Sequence, residues 1–250
     1  MVKEQEIEMY VERSRRYSIA KASAPFNKGK RAVESAEGGK FRMPAIWLNQ
    51  QVREERGYQD DVSRNGNWVL EGALYRQKAD NVLTRTGLAC LHPDEAVLAH
   101  SQGREYTLEA CTQDEIDKAV AEGLTIAPKD LKRNGNLVIP CNDFGSNKYG
   151  LFFFGGKGTE KERSDRAKAS GLWLIDSPEK IKELTILLDD KNYSQGIGKD
   201  YANQMWFRSL ADRSELFGYR GWIWSRLLHY DSRVLGVLNE SAEGAAQKSA

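Results

Sequence analysis

The apolar residues of this chain come in short runs, and that brevity constrains its fold more than any other feature. The longest conspicuous run, Leu-Phe-Phe-Phe at 151–154, is the length of one strand. A membrane-spanning helix needs about 20 apolar residues in succession, so none is expected. The first nine residues also lack the apolar core of a secretory signal. The expectation is a cytoplasmic protein with no membrane contact. With 250 residues, 40 % hydrophobic and 29 % charged, the chain is long enough to bury a sizeable core. Its three cysteines, Cys90, Cys111 and Cys141, are too few and odd in number for a disulfide framework, which fits a reducing compartment.

Residues 4–19 read as a helix, followed by a mobile basic loop over 21–40 whose large apolar residues are Phe26 and Val33. Pro44 opens a second helix, in which Ile46, Leu48 and Val52 keep helical spacing until Gly57. Residues 58–67 are turn-like, and 68–83, with Val69, Leu70, Ala73 and Leu74, suit a helix. Thr112 and Glu115 match a capping box, predicting a helix through Glu122 that stops at Gly123. Asn134-Gly135 before 137–139, and the runs 151–154 and 172–175, make the centre β-rich. Ser177-Pro178-Glu179 opens a further helix, which 185–188 either continue or replace with a strand. Residues 200–211 and 221–238 read as aromatic-rich helices. In the second, Trp224, Leu227, Leu228, Leu235 and Leu238 make an apolar stripe that leaves Trp222 facing outward. The tail 241–250 is expected to fray.

Helices, then strands, then helices, without βαβ alternation, predict an α+β fold. It has a helical N-terminal part, a central β-rich portion and C-terminal aromatic-rich helices. The expected organisation is a basic segment 1–43, an α+β domain 44–240 with any subdivision near 124–135, and a flexible tail 241–250.

The net charge is only +1, but it is unevenly spread. Over 13–42 nine Lys/Arg stand against two Glu, and over 93–123 eight Asp/Glu stand against two Lys/Arg. The stretch 201–230 interleaves Tyr201, Trp206, Phe207, Phe217, Tyr219, Trp222, Trp224 and Tyr230 with Arg208, Arg213, Arg220 and Arg226. Stacking rings and phosphate-gripping guanidiniums are what an unpaired nucleic-acid strand requires. The same residues would equally make a helical core rimmed by solvated arginines. The phosphate-contact candidates are Arg13, Arg15, Arg16, Lys28, Lys30, Arg31, Lys157, Arg208, Arg213, Arg220, Arg226 and Arg233, with Trp222 as a stacking ring.

The expected role is non-catalytic binding of RNA or single strands rather than a sequence-specific duplex. It would be exercised with other protein subunits in a nucleoprotein assembly of plasmid, phage or guide-RNA surveillance type, without a cofactor. A protein–protein adaptor with no nucleic-acid role is one alternative.

A Mg²⁺-dependent nuclease is another, with Asp176 and Asp189 as metal ligands and Lys191 stabilising charge at strand ends. Cys90, His92, His100 and Cys111 have zinc-ligand chemistry but lack the closely paired spacing of most zinc sites. Gly155-Gly156-Lys157-Gly158-Thr159 and Gly196-Ile197-Gly198-Lys199-Asp200 both fail the phosphate-loop pattern. No Gly-x-Ser-x-Gly elbow is present. His229 and Asp231, two apart on the expected helix, would not face each other.

Overall fold

The computed structural model describes residues 7, 9–132, 135–188, 199–208, 220–225 and 228–239. The described chain opens and closes in strands. A hairpin of β1 (Met9–Arg13) and β2 (Tyr17–Ala24) leads into α1 (Phe26–Gly39), α2 (Ile46–Arg56) and the one-turn α3 (Asp61–Arg64). Then come β3 (Asn67–Tyr75), β4 (Val82–Thr84), α4 (Leu88–Leu91), α5 (Pro93–Ser101), β5 (Tyr106–Thr107), α6 (Gln113–Ala121) and β6 (Leu124–Thr125). The remainder is β7 (Leu137–Pro140), α7 (Lys148–Phe154), α8 (Glu160–Asp176), β8 (Glu183–Leu187), β9 (Tyr201–Arg208), β10 (Arg220–Ser225) and β11 (Ser232–Asn239). The fold is α+β: one mixed sheet in the order β1-β2-β11-β3-β9-β10-β8-β7, with β4 also paired to β3, β6 to β4, and β5 to β9.

Helices cover both faces of this sheet. On β3, Val69, Ala73 and Tyr75 join one core with Met205 and Phe207 of β9, Ile46 of α2, Phe152, Phe153 and Phe154 of α7, and Ala167 and Leu174 of α8. The alternate residues Trp68, Leu74, Ala202 and Trp206 join a second core with Phe26 and Val33 of α1, Leu88 of α4, Ala96 of α5 and Ala119 of α6. Successive strand residues point to opposite faces, so β3 and β9 are buried on both sides. Phe26 meets Trp68 edge-on at 5.3 Å, seating α1 on the sheet.

The expected α2 helix is present, with Gly57 adopting a positive φ of 85° as its C-terminal stop. So are the capping-box helix α6 and the strand at 137–139. Several expectations are corrected. Residues 4–19, read as a helix, carry β1 and the start of β2. The loop expected over 21–40 is the end of β2 and α1, anchored by the fully buried Phe26 and Val33. Residues 68–83 carry most of β3 and the start of β4 with a loop between them, not a helix, and 200–208 and the described part of 221–238 carry β9, β10, β11 and the turn before β11, not aromatic helices. The contrast between Trp222 and Trp224 rested on helical spacing and lapses with it. Conversely, 151–154 and 172–175, read as strands, lie in α7 and α8. The helix expected from Ser177 is a turn leading to β8. The tail 241–250 lies outside the described residues.

Two buried titratable groups give the fold opposite responses to acid. Glu71 is 3 % exposed, and both its carboxyl oxygens accept the Ile46 N–H, at 3.0 and 2.9 Å, at the start of α2. Burial outweighs those bonds and pushes its carboxyl up to about 8. Burial, with His229 nearby, pushes the His100 imidazole of α5 down to about 4. A raised acid contributes stability present below its unfolded value of 4.5 and lost as pH rises through about 8. A depressed imidazole contributes stability present above 6.5 and lost as pH falls toward about 4. Between about pH 6.5 and 4.5 the two oppose each other, at about 2–3 kcal/mol apiece. Glu71→Gln removes one side, so its stability should fall by about 2–3 kcal/mol more than wild type across that window in urea melts. Parallel profiles would refute this pairing.

Candidate functional site

The hairpin end of the sheet is only partly roofed. The register sets Tyr10 opposite Lys21, Lys21 opposite Leu235, and Ser23 opposite Arg233. By strand alternation Tyr10, Glu12, Lys21, Ser23 and Arg233 therefore share a face with Ile19 and Leu235. The helices α2 and α3 cover the Ile19 end through Val52 and Val62. The other end is an open cleft of about 350 Å³ lined by Tyr10, Glu12, Lys21, Ser23, Asp61 and Arg233. A second cleft, about 810 Å³, is lined by Ser14, Arg15 and Arg16 of the hairpin turn with Glu55, Arg56 and Asp60.

Glu12 joins the two clefts, because its carboxylate takes both Lys21 Nζ and Arg56 Nη2. Asp61 takes Arg233 at 2.5 Å and Lys21 at 3.5 Å, Glu55 takes Arg16 Nε at 2.8 Å, and Asp60 takes Arg56 Nε at 2.9 Å. Burial alone would raise the carboxyls of Asp61 and Glu55. Arg233 and Lys21 hold the first below its usual range, and Ser14 and Arg16 hold the second. Five cations thus face four carboxylates. Arg15 is exposed and makes no ion pair with a described residue. The Tyr10 ring, 55 % exposed, stands at the rim.

The structure therefore brings together Arg15, Arg16 and Arg233 of the expected contact set and adds Tyr10, Lys21 and Arg56. The others lie elsewhere. Arg13 pairs with Glu37 at 3.3 Å, Lys30 with Glu34 at 2.6 Å and Arg31 with Asp94 at 2.7 Å, while Lys28 is exposed on α1. Lys157 is exposed in the loop before α8. Arg166 donates to that loop's Gly155 and Lys157 carbonyls and lies 5.5 Å over the Trp47 ring. The N-terminus of α8 already holds an anion: Glu162 Oε2 accepts from Thr159 N at 2.8 Å and Thr159 Oγ1 at 2.9 Å. Its partial positive charge is neutralised within the chain. Arg208 ends β9, and Arg220 and Trp222 lie in β10 opposite Glu183 and Thr185 of β8. Trp206 and Phe207 are core residues. Arg213 and Arg226 lie outside the described residues.

Asp176 is the last residue of α8 rather than a strand end, and Asp189 and Lys191 lie outside the described residues. The four expected zinc ligands do not converge. Cys90 is buried in α4, where burial pushes its thiol up to about 12, and His100 sits at the far end of α5 from His92. His92 and Cys111 do meet, with Glu115 of α6 as a third donor. The sequence signal for Glu115 was its i, i+4 relation to Cys111 on the capping-box segment. No protein-family model, curated protein or solved structure shows a significant match to this chain. Among the described residues, no helix is long and apolar enough to cross a membrane.

Proposed function

We propose that the protein binds single-stranded nucleic acid without catalysis, as one subunit of a nucleoprotein assembly, through the open hairpin face. The observation that carries this is the convergence of an exposed ring, Tyr10, with Lys21, Arg233, Arg56, Arg16 and Arg15 along two connected clefts. A base stacked on Tyr10 would set the backbone against Lys21 and Arg233. The carboxylates moderate the grip, since a phosphate on Arg16, Lys21, Arg56 or Arg233 must displace Glu12, Asp61, Asp60 or Glu55 from its cation. Affinity is therefore modest, and its logarithm should fall with log salt at a slope of about −1 to −2.

The test is fluorescence anisotropy with a labelled homopyrimidine single strand at several salt concentrations. Asp61→Asn releases Arg233 and Lys21, so binding should tighten several-fold and the slope should steepen by about 0.7. Tyr10→Ala should weaken binding by about tenfold, given about 1–3 kcal/mol per stacked base. If wild type shows no binding at low salt, or if both variants bind as wild type does, this face is not the interface.

A further inference from the structure

We propose that His92, Cys111 and Glu115 form a zinc site with three protein ligands and a fourth position open to solvent. Their ligand atoms lie within 4.8 Å of one another, although they come from three places in the chain. His92 is the corner between α4 and α5, serving as C-cap of one and N-cap of the other, with Pro93 opening α5 behind it. Cys111 follows the single helical turn after β5, and Glu115 is in the first turn of α6.

The carboxylate is already aimed. Glu115 Oε2 accepts the Thr112 N–H at 2.9 Å and lies 2.9 Å from His92 Nε2. Zinc bonds of about 2.3 Å to sulfur and about 2.0–2.2 Å to nitrogen and oxygen set tetrahedral ligands roughly 3.2–3.8 Å apart. The donors therefore need shifts of only about 1 Å or less to close on an ion. On binding, zinc takes the place of the Cys111 thiol proton and of any proton held between His92 and Glu115, and those protons pass to solvent.

Burial raises the Cys111 thiol in the metal-free chain, and one neighbour, Tyr106, opposes that rise. The buried Tyr106 lies with its hydroxyl 3.4 Å from Cys111 Sγ, where its O–H can donate to the ionised sulfur and fix its position. All three ligands are partly exposed, which leaves an entry path and room for a water. Imidazole and thiolate select zinc over magnesium or calcium, which prefer oxygen donors alone. The ion would tie the α4–α5 corner to α6.

The test uses the full chain, stripped with chelator and then titrated with Zn²⁺ and with Co²⁺ as the spectroscopic probe. One equivalent should bind. The Co²⁺ form should show a thiolate-to-cobalt charge-transfer band, and Zn²⁺ should raise the melting temperature. Cys111→Ser should abolish the band. Glu115→Gln keeps the helix cap, because Gln also serves at that position. It should leave the metal-free melting temperature in place while weakening Zn²⁺ by at least about tenfold. No charge-transfer band in wild type, a band that survives Cys111→Ser, or undiminished Zn²⁺ affinity in Glu115→Gln would each overturn the proposal.

Discussion

Arg53→Ala should lower the folding free energy by about 3–5 kcal/mol. The Arg53 side chain is fully buried on α2, and its guanidinium donates to Asn49 Oδ1 at 2.5 Å and to the carbonyls of Ser63, Asn65 and Phe207 at 3.0, 2.9 and 3.2 Å. It also lies 4.7 Å over the Phe207 ring. Burial pushes it down to about 9, so it remains charged at neutral pH. One side chain thus joins α2 to the end of α3, to the Asn65 turn and to the end of β9. Truncation leaves a cavity and three carbonyls without this donor, each costing about 1 kcal/mol or more. Arg53→Met fills most of the volume but makes none of those bonds, so its loss should fall between wild type and alanine. Urea melts of the three proteins measure this. A loss below about 1 kcal/mol in Arg53→Ala would show that the guanidinium's burial cost cancels its bonds. Because α2 carries Arg56, α3 carries Asp61 and Asp60 caps α3, the same variant should also blunt binding at the hairpin face.

Gly171→Ala should destabilise by about 2–4 kcal/mol, although alanine is the better helix former by about 1 kcal/mol. The buried face of α8 is Ala167, Ser170, Gly171 and Leu174, and a Cβ at 171 would stand 2.0 Å from the Cys141 carbonyl oxygen and 3.4 Å from the Phe144 ring. A backbone carbonyl cannot rotate away as a side chain can. The helix must therefore lift off the segment before α7, loosening Phe144 from its 4.6 Å stack on Phe154. A melting temperature equal to or above wild type would show that α8 can shift without cost.

The elements legible in the sequence are those whose signal is local. Thr112 and Glu115 satisfy each other's caps, and Pro44, the apolar spacing of Ile46, Leu48 and Val52, and Gly57 bound α2 whatever surrounds it. Thr159 and Glu162 repeat the α6 signature and bound α8 in the same way. The run at 151–154 looks like a buried strand, yet Asn147 accepts from Tyr149 N and Gly150 N and starts a helix that buries its aromatics on nearly every side.

The candidate site was legible only in its chemistry. Arg15 and Arg16 stand out as a basic pair, and His92 and Cys111 as zinc donors. Nothing in the spacing announces that Arg233 comes to lie beside Lys21, or that Asp61 lies between them, because those neighbours are set by strand pairing across most of the chain.

The sequence by itself determined the α+β class, the capped helices α2 and α6, the β7 strand and the chemical types available to a site. Only the tertiary structure decided that β2, β3, β9 and β11 are strands. Neighbours cover both faces of β3 and β9, so Asn67, Asn203 and Gln204 are buried along with Trp68, and the apolar–polar alternation that marks a half-exposed strand disappears there. A strand is stabilised by partners distant in the chain, whereas a helix closes its hydrogen bonds within four residues. For that reason the helix caps were readable from the residues alone, and the sheet, with the faces it brings together, was not.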